Sequence, residues 1–188
     1  MLFGGEPLLN WKLIKEIVEY ANSNYKDILS FSIVTNGTLI NESKIEFFKE
    51  NNIIPAISLD GPKLINDENR VFKNSDKSVY DYVLKAIKLM QEKDCKFGLS
   101  VTLTPAVIKD RKEFVNWIKE LGINDVYLNP LHCDYEKGWE EHYKRNTKFL
   151  IETFYDLLET NIINSRILRL INSFMTRCFT LLIFVLVG

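Results

Sequence analysis

Apolar residues recur along this chain in two alternating spacings. Asn10 can cap a helix whose Leu13, Ile14, Ile17, Val18 and Ala21 share one face, and Ile28 to Val34 then reads as a strand. Asn41 can cap a second helix carrying Ile45 and Phe48, followed by a buried strand from Ile53 to Leu59. The unit repeats with Tyr80, Val83, Leu84, Ile87 and Met90 on a third helix, and with Phe97 to Leu103 as a strand. Phe114, Trp117, Ile118 and Leu121 mark a fourth helix, Asp125 to Leu128 a strand ended by Asn129-Pro130. A longer helical pattern runs through Trp139, Tyr143, Phe149, Leu150, Phe154, Leu157 and Leu158. Such alternation predicts parallel βαβ units with right-handed crossovers, so an α/β fold. Leu2-Phe3 is the stub of a further strand, and Asp60 to Asp76 is expected to be one long irregular loop.

At 188 residues the chain is most economically one domain with a substantial core, here residues 1–160. Residues 161–188 are expected to be a helical segment and an apolar tail, of which Phe179 to Gly188 carries no charge and is too short to span a membrane, which takes ~20 apolar residues. Lys+Arg 24 against Asp+Glu 25 leaves almost no net charge, and no basic block stands out, which argues against nucleic-acid binding. No basic region followed by an apolar stretch opens the sequence, so a cytoplasmic protein is expected. Cys95, Cys133 and Cys178 are far apart in sequence, which suits bystander thiols and neither a disulfide framework nor a metal site. His132-Cys133-Asp134, with His142 beyond it, offers too few ligands for a metal.

The chemistry gathers where strands end. Gly4-Gly5 permits a sharp turn and close approach of backbone to a ligand, and Glu6-Pro7 follows with a carboxylate and a helix start. Thr35-Asn36-Gly37-Thr38 ends the second strand position and is equally a plain turn. Ser58 and Asp60, in Ser58-Leu59-Asp60-Gly61-Pro62, share a face by period-two geometry, and Asp60 can alternatively cap an Asp-Gly-Pro turn. Thr102 and Thr104, then Asn129 and His132, end the later strands. In a parallel sheet all these ends fall on one rim, where α/β folds build their sites.

The order GGEP, TNGT, SLDGP resembles the radical S-adenosylmethionine (SAM) enzymes, most closely the SPASM-type peptide and anaerobic sulfatase maturases, over roughly Leu2 to Leu158. The resemblance implies an incomplete parallel (β/α)6 partial barrel missing its first unit. It also implies reductive cleavage of SAM at a [4Fe–4S] cluster to modify a peptide or protein side chain, with a reducing partner such as flavodoxin or ferredoxin. By resemblance Gly4, Gly5, Glu6 and Pro7 meet the SAM amino group, Thr35 and Asn36 line its pocket, Ser58 contacts its ribose or methionyl portion, and Asp60 organises the rim or faces substrate as a candidate catalytic group. Arg70 is a candidate for the SAM carboxylate and equally a surface arginine. The family's CxxxCxxC loop lies upstream of GGEP, and only Met1, Leu2 and Phe3 precede Gly4 here. The cluster ligands are therefore expected to be absent from this chain, which reads as a truncated or split core, inactive alone. The alternative is a non-catalytic remnant or a peptide- or SAM-binding module.

Overall fold

The computed structural model describes residues 1–25, 28–131 and 139–159. Four parallel strands form one sheet in the order β1 (Ser32–Thr35), β2 (Ile54–Ser58), β3 (Gly98–Leu103) and β4 (Val126–Pro130). Leu2 makes a parallel bridge to Ile33, its amide donating to Ser32 at 2.7 Å and its carbonyl accepting from Val34 at 3.1 Å. The predicted stub is thus in place beside β1. Between the strands run α1 (Trp11–Asn24), α2 (Glu42–Glu50), α3 (Lys63–Asn69), α4 (Val79–Glu92) and α5 (Arg111–Glu120), with α6 (Trp139–Leu158) after β4. Both predicted caps are made, Asn10 accepting the Leu13 amide and Asn41 the Lys44 amide.

Strand order equal to chain order requires every right-handed crossover to pass over the same face of the sheet. The two faces differ accordingly. Ile57, Leu99 and Val126 are register partners, all fully buried with Val18, Ile45, Phe48, Val83, Ile87 and Ile118 of the helices in one apolar core. One residue along, the partners Ser58, Ser100 and Tyr127 are only half-buried on the other face. A parallel sheet ordinarily reads as apolar on both faces because both are covered. Here the second face carries small and polar side chains, the pattern of the inner wall of a barrel.

Three expectations need correction. The first full strand begins at Ser32, not Ile28; β2 starts opposite it at Ile54, so nothing pairs with the chain further back, and Ile28 is 77% exposed. The stretch from Asp60 to Asp76 is not all irregular, since α3 occupies Lys63–Asn69. That helix has too few apolar positions to register as periodic and is held by side-chain hydrogen bonds described below. Leu13 and Ile17, expected on the buried face of α1, are substantially exposed, while Ile14, Val18 and Ala21 are buried. The apolar surface of α1 is therefore wider than the sheet it packs on. Residues 161–188, with the apolar tail, lie outside the described residues, and no described helix is long and apolar enough to cross a membrane.

Candidate functional site

Glu6 is the hub at the first strand end. Its Oε1 accepts the Leu8 amide at 3.0 Å and the Thr35 hydroxyl at 2.7 Å, and its Oε2 accepts the Asn36 amide at 2.7 Å. The carboxylate so caps the 3₁₀ turn Pro7–Asn10 and ties the Gly4-Gly5 loop to the end of β1. A carboxylate oxygen has two acceptor positions, so one remains open, on Oε2. Buried Thr35 relays the contact, its hydroxyl accepting the Gly37 amide at 3.1 Å. Asn36 Oδ1 closes the turn by accepting the amide and hydroxyl of Thr38 at 3.0 and 2.8 Å. The turn expected at TNGT is present, and it carries the anchor for Glu6 as well.

One strand over, Thr35 pairs with Ile57, which sets Asn36 and Ser58 side by side just beyond them. The Ser58 hydroxyl makes no hydrogen bond among the described residues. Asp60 is buried and links the ends of β2 and β3, because its Oδ1 accepts the Thr102 amide at 2.7 Å. Its Oδ2 binds Arg70 Nε at 2.6 Å. Asn129, an exposed residue, donates from Nδ2 to Ser100 Oγ at 3.0 Å. Glu6, Thr35, Asn36, Ser58, Asp60, Arg70, Thr102 and Asn129 therefore stand along one rim. Thr104 serves locally instead, its hydroxyl accepting the Val107 amide at 3.4 Å. His132, Cys133, Asp134 and Cys178 lie outside the described residues.

Two contributors carry no signal in the motifs. Asn66 is fully buried and accepts the Asp60 amide at 3.1 Å. Asparagine is ordinarily a surface residue, so its burial is not legible from sequence. Ser100 was legible, as the polar member between Leu99 and Val101 in a strand that alternates.

The Asp67 carboxylate supports this region from behind. Burial raises its pKa, but hydrogen bonds from the Ser78 hydroxyl, the Tyr80 amide and Asn66 outweigh that and hold it below the ordinary value of 3.8. A folded-state pKa lowered in this way adds stability above the unfolded value and loses it as the pH falls through the folded one. The wild-type chain should then be more stable than Asp67→Asn at pH 6. In urea titrations that advantage should shrink below pH 3.8; an advantage constant down to the acid limit would assign it to packing instead.

Free polar groups along the rim fit SAM: an open carboxylate position and backbone carbonyls for an ammonium, a guanidinium edge for a carboxylate, and hydroxyl and amide groups for a nucleoside. An iron–sulfur cluster does not find a fit among the described residues. They bring together no group of three or more His, Cys, Asp or Glu side chains suited to a metal. Cys95 follows α4 and precedes β3, at the sheet end away from the rim, and burial pushes its thiol pKa up.

A sequential parallel sheet with helices on one face, a polar wall on the other and polar groups gathered at one rim defines a partial (β/α) barrel. The family comparison gives that class its name: residues 1–118 match the radical SAM superfamily, and the chain belongs to it. It is 39% identical over 129 residues to an uncharacterized protein of Methanocaldococcus jannaschii, covering 68% of this chain and 44% of that one. It is 30% identical over 159 residues to a cysteine-type anaerobic sulfatase-maturating enzyme of Clostridium novyi, covering 82% of this chain and 42% of the enzyme. Among solved structures, anSMEcpe with bound AdoMet superposes with a TM-score of 0.73 at 25% identity, over 86% of this chain and 48% of that one. The chain thus spans less than half the length of these relatives and has the fold of a SPASM-like maturase core.

Proposed function

We propose that this chain is the SAM-binding core of a radical SAM enzyme that modifies a peptide or protein side chain. The observation that carries the reading is the Glu6 carboxylate, whose three bonds lock the Gly4-Gly5 loop to the Thr35-Asn36 strand end beside Ser58. In this reading the backbone of Gly4, Gly5 and Glu6, with Pro7 fixing the turn, receives the SAM ammonium. Arg70 receives the carboxylate, Ser58 and Asn36 the ribose or methionyl portion, and Ser100 and Asn129 line the wall beside them. SAM, when bound and reduced, supplies the hydrogen abstraction; the chain's own part is position and orientation. No electron-transfer step is assigned to the described residues, which lack cluster ligands. A peptide or protein is the substrate class because the sulfatase-maturating relatives and the peptide-bound neighbour structures share this core. The setting is cytoplasmic, with flavodoxin or ferredoxin as electron donor.

Calorimetric titration of the full chain with SAM tests the reading. Saturable binding that falls about tenfold in Ser58→Ala, as loss of one or two hydrogen bonds to a ligand predicts, supports it. Binding without any 5′-deoxyadenosine after anaerobic iron–sulfide reconstitution and reduction is expected of the core alone and of a SAM-binding module alike, because the described residues hold no cluster ligands. No detectable SAM binding would overturn both.

A further inference from the structure

The connection after β2 is held by more polar contacts than a turn needs. Asp60 is 3% exposed, yet its charged carboxylate serves two partners, the Thr102 amide and Arg70 Nε. Asp60 is itself fixed, because its amide donates to the fully buried Asn66. Asn66 Nδ2 donates in turn to Asp67 Oδ1 at 3.0 Å, and the same oxygen accepts the Tyr80 amide at 2.9 Å. α3 is pinned in this way to the strand end through Asn66 and to α4 through Asp67. Arg70 is the residue that caps its C-terminus, its amide donating to the Asn66 carbonyl at 2.9 Å.

Burying a carboxylate costs stability unless it is paired and fully hydrogen-bonded. A structural turn could use an uncharged group for the Thr102 amide, so the charge at position 60 is explained only by the arginine. That arginine is held at one point. A guanidinium has five donors, and among the described residues only Nε is used, while the side chain keeps 26% exposure. The Nη1–Nη2 edge is left for a second carboxylate.

We propose that Asp60 is a positioning residue: gripping Arg70 through Nε, and fixed in turn by Asn66, it presents the free guanidinium edge to the carboxylate end of the ligand at the rim. The inference rests on the SAM reading above and adds how the arginine is made ready. An arginine already ordered before the ligand arrives loses less rotamer entropy on binding.

Asp60→Asn separates this role from the link between strands. Its amide oxygen can still accept the Thr102 amide, but its Nδ2 meets Arg70 Nε donor to donor, so the arginine is released. Titrations of the full chain would use S-adenosylhomocysteine, which has the amino-acid end, and 5′-methylthioadenosine, which lacks it. Asp60→Asn and Arg70→Ala should each weaken S-adenosylhomocysteine about tenfold and leave 5′-methylthioadenosine within about twofold, and the double variant should lose no more than either, since the two residues act as one unit. Equal weakening of both ligands would make Asp60 merely structural, and additive losses would break its link to Arg70; either overturns the proposal. Wild-type affinity that ignores the amino-acid end overturns it too, while leaving a nucleoside-binding core intact. A wild-type chain that binds neither ligand removes the SAM reading and this inference together.

Discussion

Glu6→Ala should destabilise the chain by about 2–4 kcal/mol, because three donors lose a charged acceptor at once and bonds to charged groups are worth roughly 1.5–3 kcal/mol each before water replaces part of them. Water cannot replace all of it. Thr35 is 2% exposed, so its hydroxyl is left with the Gly37 amide and no acceptor for its own proton. Glu6→Gln should be only partly restorative: its amide oxygen can serve Leu8 and Thr35, but its amide nitrogen then faces the Asn36 N–H. Thermal unfolding should show the alanine variant melting about 6–12 °C lower, at roughly 3 °C per kcal/mol for a chain of this size. SAM binding should fall with it, as the Gly4-Gly5 loop loses its tie to β1. A Glu6→Ala protein as stable as wild type would show that the carboxylate does not hold the rim together.

That hub explains why the site was more legible than its wiring. Motif order placed Glu6, Thr35, Asn36, Ser58 and Asp60 at strand ends, and parallel topology carries all such ends to one rim whatever the side-chain details. Which of those groups bind each other is another matter. The sequence offers Glu6 as a carboxylate facing a ligand, whereas three of its four acceptor positions are taken by the protein. Distances between residues 29 or 30 apart depend on how α1 sits on the sheet, and no local pattern encodes that.

Errors in the fold have the same origin. Ile28 and Leu29 have β-forming side chains, but a strand needs a neighbour, and β2 does not reach back to them. α3 was hidden because Asn66, Asp67 and Asn69 are poor helix formers, and the helix exists through contacts to Asp60 and Tyr80. Elements with a clear 3.6-residue period, α4 above all, were legible to within a residue or two, since Val83, Ile87 and Met90 must all reach one core. For α3 the contact that overrides local preference lies at the rim, where Asn66 holds the Asp60 amide. Such disagreement is expected where function constrains structure.

Gly37→Val should cost about 2–5 kcal/mol, the sum of two separable penalties. The residue has φ +76, which an L side chain occupies at roughly 1–2 kcal/mol. A Cβ there would also stand 2.9 Å from Ile57 Cγ2 and 3.5 Å from Val83 Cγ1, two fully buried side chains with little room to retreat, and overpacking of that kind adds about 1–3 kcal/mol. Gly5→Ala isolates the first penalty: its φ is +51, but nothing lies within 4 Å of the added carbon. Gly37→Ala should therefore be less stable than Gly5→Ala by about 1–2 kcal/mol in urea unfolding, with valine worse again. The site should register the difference too, because the Gly37 amide bonds the Thr35 hydroxyl that holds Glu6. Equal stabilities for the two alanine variants would mean that Ile57 and Val83 yield freely, and that the turn after β1 is not locked against the core.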